Sequence, residues 1–190
     1  MPLRDVPYRT VRWGRDLQVW LLEGREYCDA NDAPDGEGKS ILGQRQRAWL
    51  AETLGGSNAT FKIVISATPV VGPDREQKTD NHANAAFATE GRWLRDLLAR
   101  HGAYVVNGDR HWQYVSRDDA TGLVEFGCGP VSDAHVQGWD EGERPEHRYL
   151  NLVGGFLSVD VERVDGTPAV TFTHHDVAGV PLHTERFFAE

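Results

Sequence analysis

Three stretches of this 190-residue sequence gather side chains that bind metal or phosphate. The first is Gly108-Asp109-Arg110-His111, which follows the apolar run Tyr104-Val105-Val106-Asn107. A carboxylate and an imidazole two residues apart share a face if the strand persists through them. Such a pair, Asp109 and His111, grips a divalent or trivalent ion. The ion in turn acidifies water and offsets charge on a phosphoryl oxygen. By spacing alone the tetrapeptide is a short signal, and a turn with a capping aspartate and a surface histidine fits it equally. The second stretch is Asp80-Asn81-His82-Ala83-Asn84, with Arg75 and Lys78 shortly before it and a helical pattern after it. A helix N-terminus attracts phosphate, and Asn81, His82 and Asn84 carry donors for it. The same residue types also cap helices. The third is Glu23-Gly24-Arg25-Glu26-Tyr27, where the planar guanidinium of Arg25 matches phosphate geometry. A lone arginine after a strand also forms ordinary surface ion pairs.

Other candidates carry less. Ser66 and Thr68 lack a Gly-x-Ser-x-Gly elbow, which argues against a serine hydrolase. His135 closes the glycine-containing run from Cys128 and either lines a pocket or belongs to a turn. His174, His175 and Asp176 are adjacent, and neighbours on a strand face opposite ways. Trp13, Trp20, Trp112 and Trp139 suit either a stacking platform or a core. Cys28 and Cys128 form no Cys-x-x-Cys pair, so no structural zinc site is expected.

These groups need elements to position them. Residues 16–23 read as a buried strand, 28–39 as a loop, and 43–54 as a helix stopped by Gly55-Gly56, with Ser40 as its cap. Phe61 to Ser66 reads as a second strand, 84–101 as the clearest helix, and Tyr104 to Asn107 as a third strand. Strand, helix, strand, helix, strand implies right-handed crossovers and a parallel sheet. Sites in such sheets gather beyond the carboxyl ends of the strands, where all three polar stretches fall. The second half differs. Residues 112–127, 155–163, 168–176 and 180–188 read as successive, largely antiparallel strands, with turns at Val164-Asp165-Gly166-Thr167 and Ala178-Gly179. The expected class is α/β, a parallel βαβ half followed by antiparallel strands, with residues 1–190 as a single domain.

Composition excludes some classes. Hydrophobic residues are 39% and charged residues 26%, the balance of a folded domain rather than a disordered one. A formal charge of −9 with scattered arginines argues against a nucleic-acid-binding surface. Bound cations still allow an acidic protein to act on phosphate esters. No apolar run suits a signal peptide or a membrane span, so the chain reads as soluble, with its compartment open.

Taken in order, Leu21-Leu22-Glu23-Gly24-Arg25-Glu26-Tyr27, then Gly43 with Gln46 and Trp49-Leu50, then a strand ending near Pro69, then Gly108-Asp109-Arg110-His111, resemble the C-terminal part of the PhoD-like alkaline phosphatases. These belong to the calcineurin-like metallophosphoesterases. The resemblance implies a two-sheet αββα sandwich, present here in part. It implies hydrolysis of phosphate mono- or diesters by a metal-activated hydroxide, with iron, calcium or manganese as the metal, in a family often exported. It makes Asp109 and His111 the metal-binding and catalytic pair, with Asp109 in place of the first histidine of the wider Gly-His-x-His motif. Arg25, Arg75, Asn81, His82 and Asn84 are then the expected phosphate-holding residues. The sequence departs from the family at Glu23, where Asp is common, and at Cys28, where Arg is frequent. The metal ligands of the family's first half are not found upstream of Arg25. The chain alone is therefore expected to be weak or inactive, with a missing N-terminal half as its natural partner. The competing expectation is a non-catalytic binding module or a degenerate fragment, with the polar strand ends serving only as caps.

Overall fold

Apolar side chains on both faces of three short strands build the centre of the protein. In the computed structural model, which describes residues 6–139 and 146–189, β2 (Leu17–Leu21), β3 (Phe61–Ser66) and β4 (Ala103–Asn107) lie side by side and parallel. Helices α1 (Gly43–Gly55) and α2 (Ala88–Arg100) make the crossovers. Both pack on one face, where Leu50, Leu54, Leu94 and Leu98 meet Trp20, Val64 and Val105. Fully burying side chains of this size contributes about 1.5–3 kcal/mol each.

The sheet grows to seven strands in the order β1-β2-β3-β4-β6-β5-β7. β1 (Arg9–Trp13) is antiparallel to β2, and β6 (Val124–Cys128) runs parallel to β4. β5 (Gln113–Arg117) and β7 (His147–Asn151) finish the sheet antiparallel. β8 (Phe156–Val164), β9 (Thr167–His175) and β10 (Pro181–Phe188) form a second, antiparallel sheet in the order β10-β9-β8. Its inner row, including Val170 and Phe172, packs on Phe61, Ile63, Val106 and Phe126, and the Phe126 and Phe172 rings stack at 4.0 Å. The opposite row carries Ser158, Asp160, Thr173, Thr184 and Arg186, so that face ends the stack in polar groups. The layers are helix, sheet, sheet, which is the expected αββα sandwich in part.

Several sequence expectations need correction. Residues 112–127 are two strands, because Asp118 accepts from Thr121 through its carboxylate and its N–H bonds Leu123, which turns the chain back. The helix expected from residue 84 starts as a short 3-10 turn, Ala85–Phe87, before α2 begins at Ala88. β1 and β7 were not expected as strands at all. The hairpin turn after β8 is as expected, with Asp165 at φ 51° and Gly166 at φ 84°. Trp20 and Trp112 are core, whereas Trp13 is 76% exposed. Cys28 and Cys128 are free thiols. Among the described residues no helix is long and apolar enough to cross a membrane.

His174 on β9 makes the stack pH-sensitive. It is fully buried, and its Nε2 bonds the Gly127 carbonyl at 3.0 Å across the two sheets. Burial holds its pKa down to about 4. An unfolded histidine protonates near 6.5, so the folded state is favoured above that pH and loses stability as pH falls toward 4. The expected loss is about 3 kcal/mol. Denaturant titrations at stepped pH check it: His174→Gln, which keeps a donor for Gly127, should flatten the profile between those values.

Candidate functional site

Because β2, β3 and β4 are parallel neighbours, their carboxyl ends share one edge. Gln46 of α1, fully buried, fixes the first of these ends. Its side chain donates to the Glu23 and Leu42 carbonyls at 2.8 and 3.0 Å and accepts from the Glu23 N–H at 2.8 Å. The Glu23 carboxylate then accepts the N–H groups of Arg25 and Glu26 at 2.6 and 3.0 Å. This turn brings Arg25 Nη2 to 3.9 Å from Asp109 Oδ1, an open pair with little energetic weight.

β4 stops at Asn107, and Asp109 sits in the left-handed region at φ 66°. The strand geometry that would align Asp109 with His111 therefore does not extend to them. The turn places them beside one another by another route. Both border a shallow depression of about 260 Å³ shared with Gly129, Pro130, Val131 and His135. His111 Nδ1 lies 2.6 Å from the His135 carbonyl and 3.2 Å from Gln137 Nε2. The shorter contact is to an acceptor, which assigns the proton to Nδ1 and leaves the lone pair on Nε2. That is the arrangement in which a carbonyl orients a metal-ligating histidine.

Arg110, a bystander in the sequence motif, is the hub behind the site. It is 3% exposed, and its Nη2 lies 2.9 Å from Asp74 Oδ2, 3.0 Å from Asp109 Oδ2 and 3.6 Å from Asp80 Oδ1. Asn81 ties the same acids together, donating to Asp74 at 2.8 Å and to Asp80 at 3.1 Å. Asn81 is fully buried, so it holds the loop rather than facing a ligand. His82 is also buried, 3.0 Å from Glu90 of α2. Burial raises the Glu90 carboxyl, but His82, Ser40 and the Ile41 N–H outweigh it and leave the group below its ordinary value. The loop sits so close to α2 that a Cβ on Gly91 would fall 2.2 Å from the His82 carbonyl oxygen. Asn84 is 8% exposed at the start of the 3-10 turn, and Arg75 lies against Asp74 and, at 5.6 Å, the Trp112 ring. Of the residues expected to hold phosphate, Asn81 and His82 are thus buried with internal partners, whereas Asn84 starts the 3-10 turn and Arg75 lies against Asp74.

Sequence reasoning also passed over Glu125. It is fully buried on β6 and accepts the N–H groups of Val70, Val71 and Gly72 at 2.6, 2.9 and 3.0 Å. Tyr114 donates to it at 2.8 Å, and Asn107 donates to Tyr114 at 2.6 Å. A lone acid inside the apolar run Leu123-Val124-Glu125-Phe126 was the available signal. Among the described residues no group of three or more His, Cys, Asp or Glu side chains is close enough to hold a metal ion. Asp109 and His111 fit one side of a metal centre, with an oriented imidazole and a carboxylate on a common depression.

The chain thus combines a helical layer, a mixed sheet and an antiparallel sheet, with acid, imidazole and guanidinium at the strand ends. The solved structure of PhoD superposes with a TM-score of 0.68 at 13% identity, over 96% of this chain and 42% of PhoD. Purple acid phosphatase PPD1 from yellow lupin (Lupinus luteus) seeds matches with a TM-score of 0.63 at 9% identity, over 94% of this chain and 32% of that one. GAP50, the anchor in the inner membrane complex of Plasmodium, matches with 0.57 at 13% identity, over 96% and 53%. The chain thus spans about half or less of each of these proteins. No curated protein matches it. The family model of PhoD-like phosphatases matches residues 1–162, and the chain belongs to that family.

Proposed function

We propose that this chain is the C-terminal portion of a metal-dependent phosphoesterase domain that hydrolyses phosphate mono- or diesters when the remaining metal ligands are supplied from elsewhere. The observation that carries the reading is His111, whose Nδ1 is held by the His135 carbonyl so that Nε2 presents its lone pair beside Asp109. Asp109 and His111 would hold one side of an iron, calcium or manganese centre. When bound, such an ion acidifies water and neutralises phosphoryl charge. Arg25, 56% exposed at the rim, supplies a fork for the non-reacting phosphate oxygens. Arg110 holds Asp109 in place through the 3.0 Å contact of Nη2 with Oδ2. Arg75, Asn81, His82 and Asn84 shape the loop behind it.

Paramagnetic Mn²⁺ tests the site in the chain alone. Its addition should broaden the NMR signals of His111, Asp109 and His135 first, and His111→Ala should abolish that selectivity. Turnover of an aryl phosphate with iron, calcium or manganese should be absent or slight. Any turnover should fall at least about 100-fold in Asp109→Ala and His111→Ala, beyond what losing an outer partner of a ligand costs. Robust hydrolysis that survives both substitutions, or broadening centred elsewhere, overturns the assignment.

A further inference from the structure

His111 Nδ1 has two neighbours of opposite character. The His135 carbonyl, at 2.6 Å, accepts, and the Gln137 Nε2 amide, at 3.2 Å, donates. A neutral imidazole with its proton on Nδ1 satisfies the carbonyl and opposes the amide. One with its proton on Nε2 accepts from Gln137 through Nδ1, gives up the carbonyl, and has a hydrogen on the nitrogen needed for a metal. His135 and Gln137 are two residues apart on one segment. A small displacement of that segment therefore changes which contact is shorter.

The segment is a 3-10 turn, Asp133–His135, with its own internal bonds. The His135 N–H donates to the Ser132 carbonyl at 3.0 Å, and Ser132 Oγ accepts from the Ala134 N–H at 3.2 Å. These bonds fix the shape of the turn but not its place. Its place is set from the link between β7 and β8. The Gly154 N–H donates to Asp133 Oδ1 at 2.8 Å, and the Gly155 N–H to the Pro130 carbonyl at 2.7 Å. The approach is backbone to backbone. A Cβ on Gly154 would fall 2.5 Å from the Asp133 nitrogen, and one on Gly155 would fall 1.8 Å from the His175 carbonyl oxygen. Gln113 Nε2 donates to that same His175 carbonyl at 2.8 Å, which ties it to β5. The turn is thus fastened where β8 starts and β9 ends, and Asp133 supplies the side chain in that fastening.

We infer that Asp133 is a positioning residue for the metal site. By pinning the turn to Gly154 it keeps the His135 carbonyl, rather than the Gln137 amide, on His111 Nδ1, and so selects the tautomer whose Nε2 takes a metal. The inference rests on the function proposed above and adds a choice between a binding and a non-binding form of one ligand. Asp133 does not border the depression around Asp109 and His111, and Gly154 occupies its Oδ1, so it acts through His135. If the carbonyl withdraws, metal affinity falls by the fraction of His111 left in the binding form.

Long-range nitrogen–proton NMR correlations of the His111 ring test this in the chain without metal. In the unaltered chain the proton should sit on Nδ1. Asp133→Ala should move it mainly to Nε2 and lower the affinity for Mn²⁺ about tenfold. Asp133→Asn keeps an acceptor for the Gly154 N–H and should restore most of both. Gln137→Leu removes the competing donor, and added to Asp133→Ala it should return the proton to Nδ1. Asp133 and Gln137 are exposed, so these variants should fold, with denaturant midpoints near that of the unaltered chain. A proton that stays on Nδ1 in Asp133→Ala, no recovery in Asp133→Asn or in the double variant, or a smaller Nδ1 share in Gln137→Leu alone overturns the inference. The expected tautomers with Mn²⁺ bound away from His111 defeat the proposed function and leave the positioning standing. Mn²⁺ held at His111 with the tautomer unmoved by Asp133→Ala defeats the positioning alone.

Discussion

Arg110→Ala is expected to lower the stability of the fold by about 3–5 kcal/mol, the range for removing one member of a buried ion network. The guanidinium is within 3.6 Å of three carboxylates, and Asp74 beneath it is fully buried with Oδ1 unpartnered. Without Arg110 that charge has, among the described residues, only Arg75, 3.9 Å away, and the amide of Asn81. Arg110→Lys should fall between, because it keeps a cation but on a shorter stem that does not reach the Nη2 position shared by the three acids. Denaturant midpoints at constant m-value measure both. Asp109→Ala is the control: its side chain is 34% exposed, so its loss should cost under about 1 kcal/mol. Equal losses for Arg110→Ala and Asp109→Ala would remove Arg110 from the role of hub.

Glu125→Gln is expected to cost about 3 kcal/mol, because the amide group must face N–H donors that the second carboxylate oxygen now accepts. Burial pushes the Glu125 carboxyl above its ordinary value, and the Gly72, Val71 and Val70 N–H groups and Tyr114 pull it part of the way back. Every one of those partners donates, so no orientation of glutamine satisfies all four. The loop from Val70 to Gly72 leads into Asp74, and loosening it should expose Arg75 and Lys78 to trypsin. Faster cleavage there, with α1 still resistant, is the expected digest. An unchanged digest would show that Glu125 does not hold this loop.

The parallel half was legible in the sequence because burial on both faces leaves dense apolar runs, and Gly55-Gly56 and Asn107-Gly108 mark where they end. The gathering of Arg25 and Asp109 at one edge followed from strand order alone. β1 and β7 escaped notice because edge strands bury little: Arg9, Arg12 and Arg148 face out of Arg9–Trp13 and His147–Asn151, which erases alternation. The buried acids were invisible for another reason. Glu90 and Glu125 accept from Ile41 and Val70, 49 and 55 residues away, and only the apolar run around Glu125 hints locally at burial.

Asp16 and Arg163, 147 residues apart, meet at 2.8 Å where the β1–β2 turn touches the end of β8. The fork closes a loop that holds both helices and most of the strands. Chain closure of that span comes late, since non-local contacts reward folding only after the entropy of the intervening loop has been lost. The β8–β10 meander is local and can form by itself, but its apolar row has nothing to cover until the first sheet exists. Synthesis from the N-terminus therefore leaves the large sheet waiting, open-faced, for its lid, and this interval is when the nascent protein most needs protection from self-association.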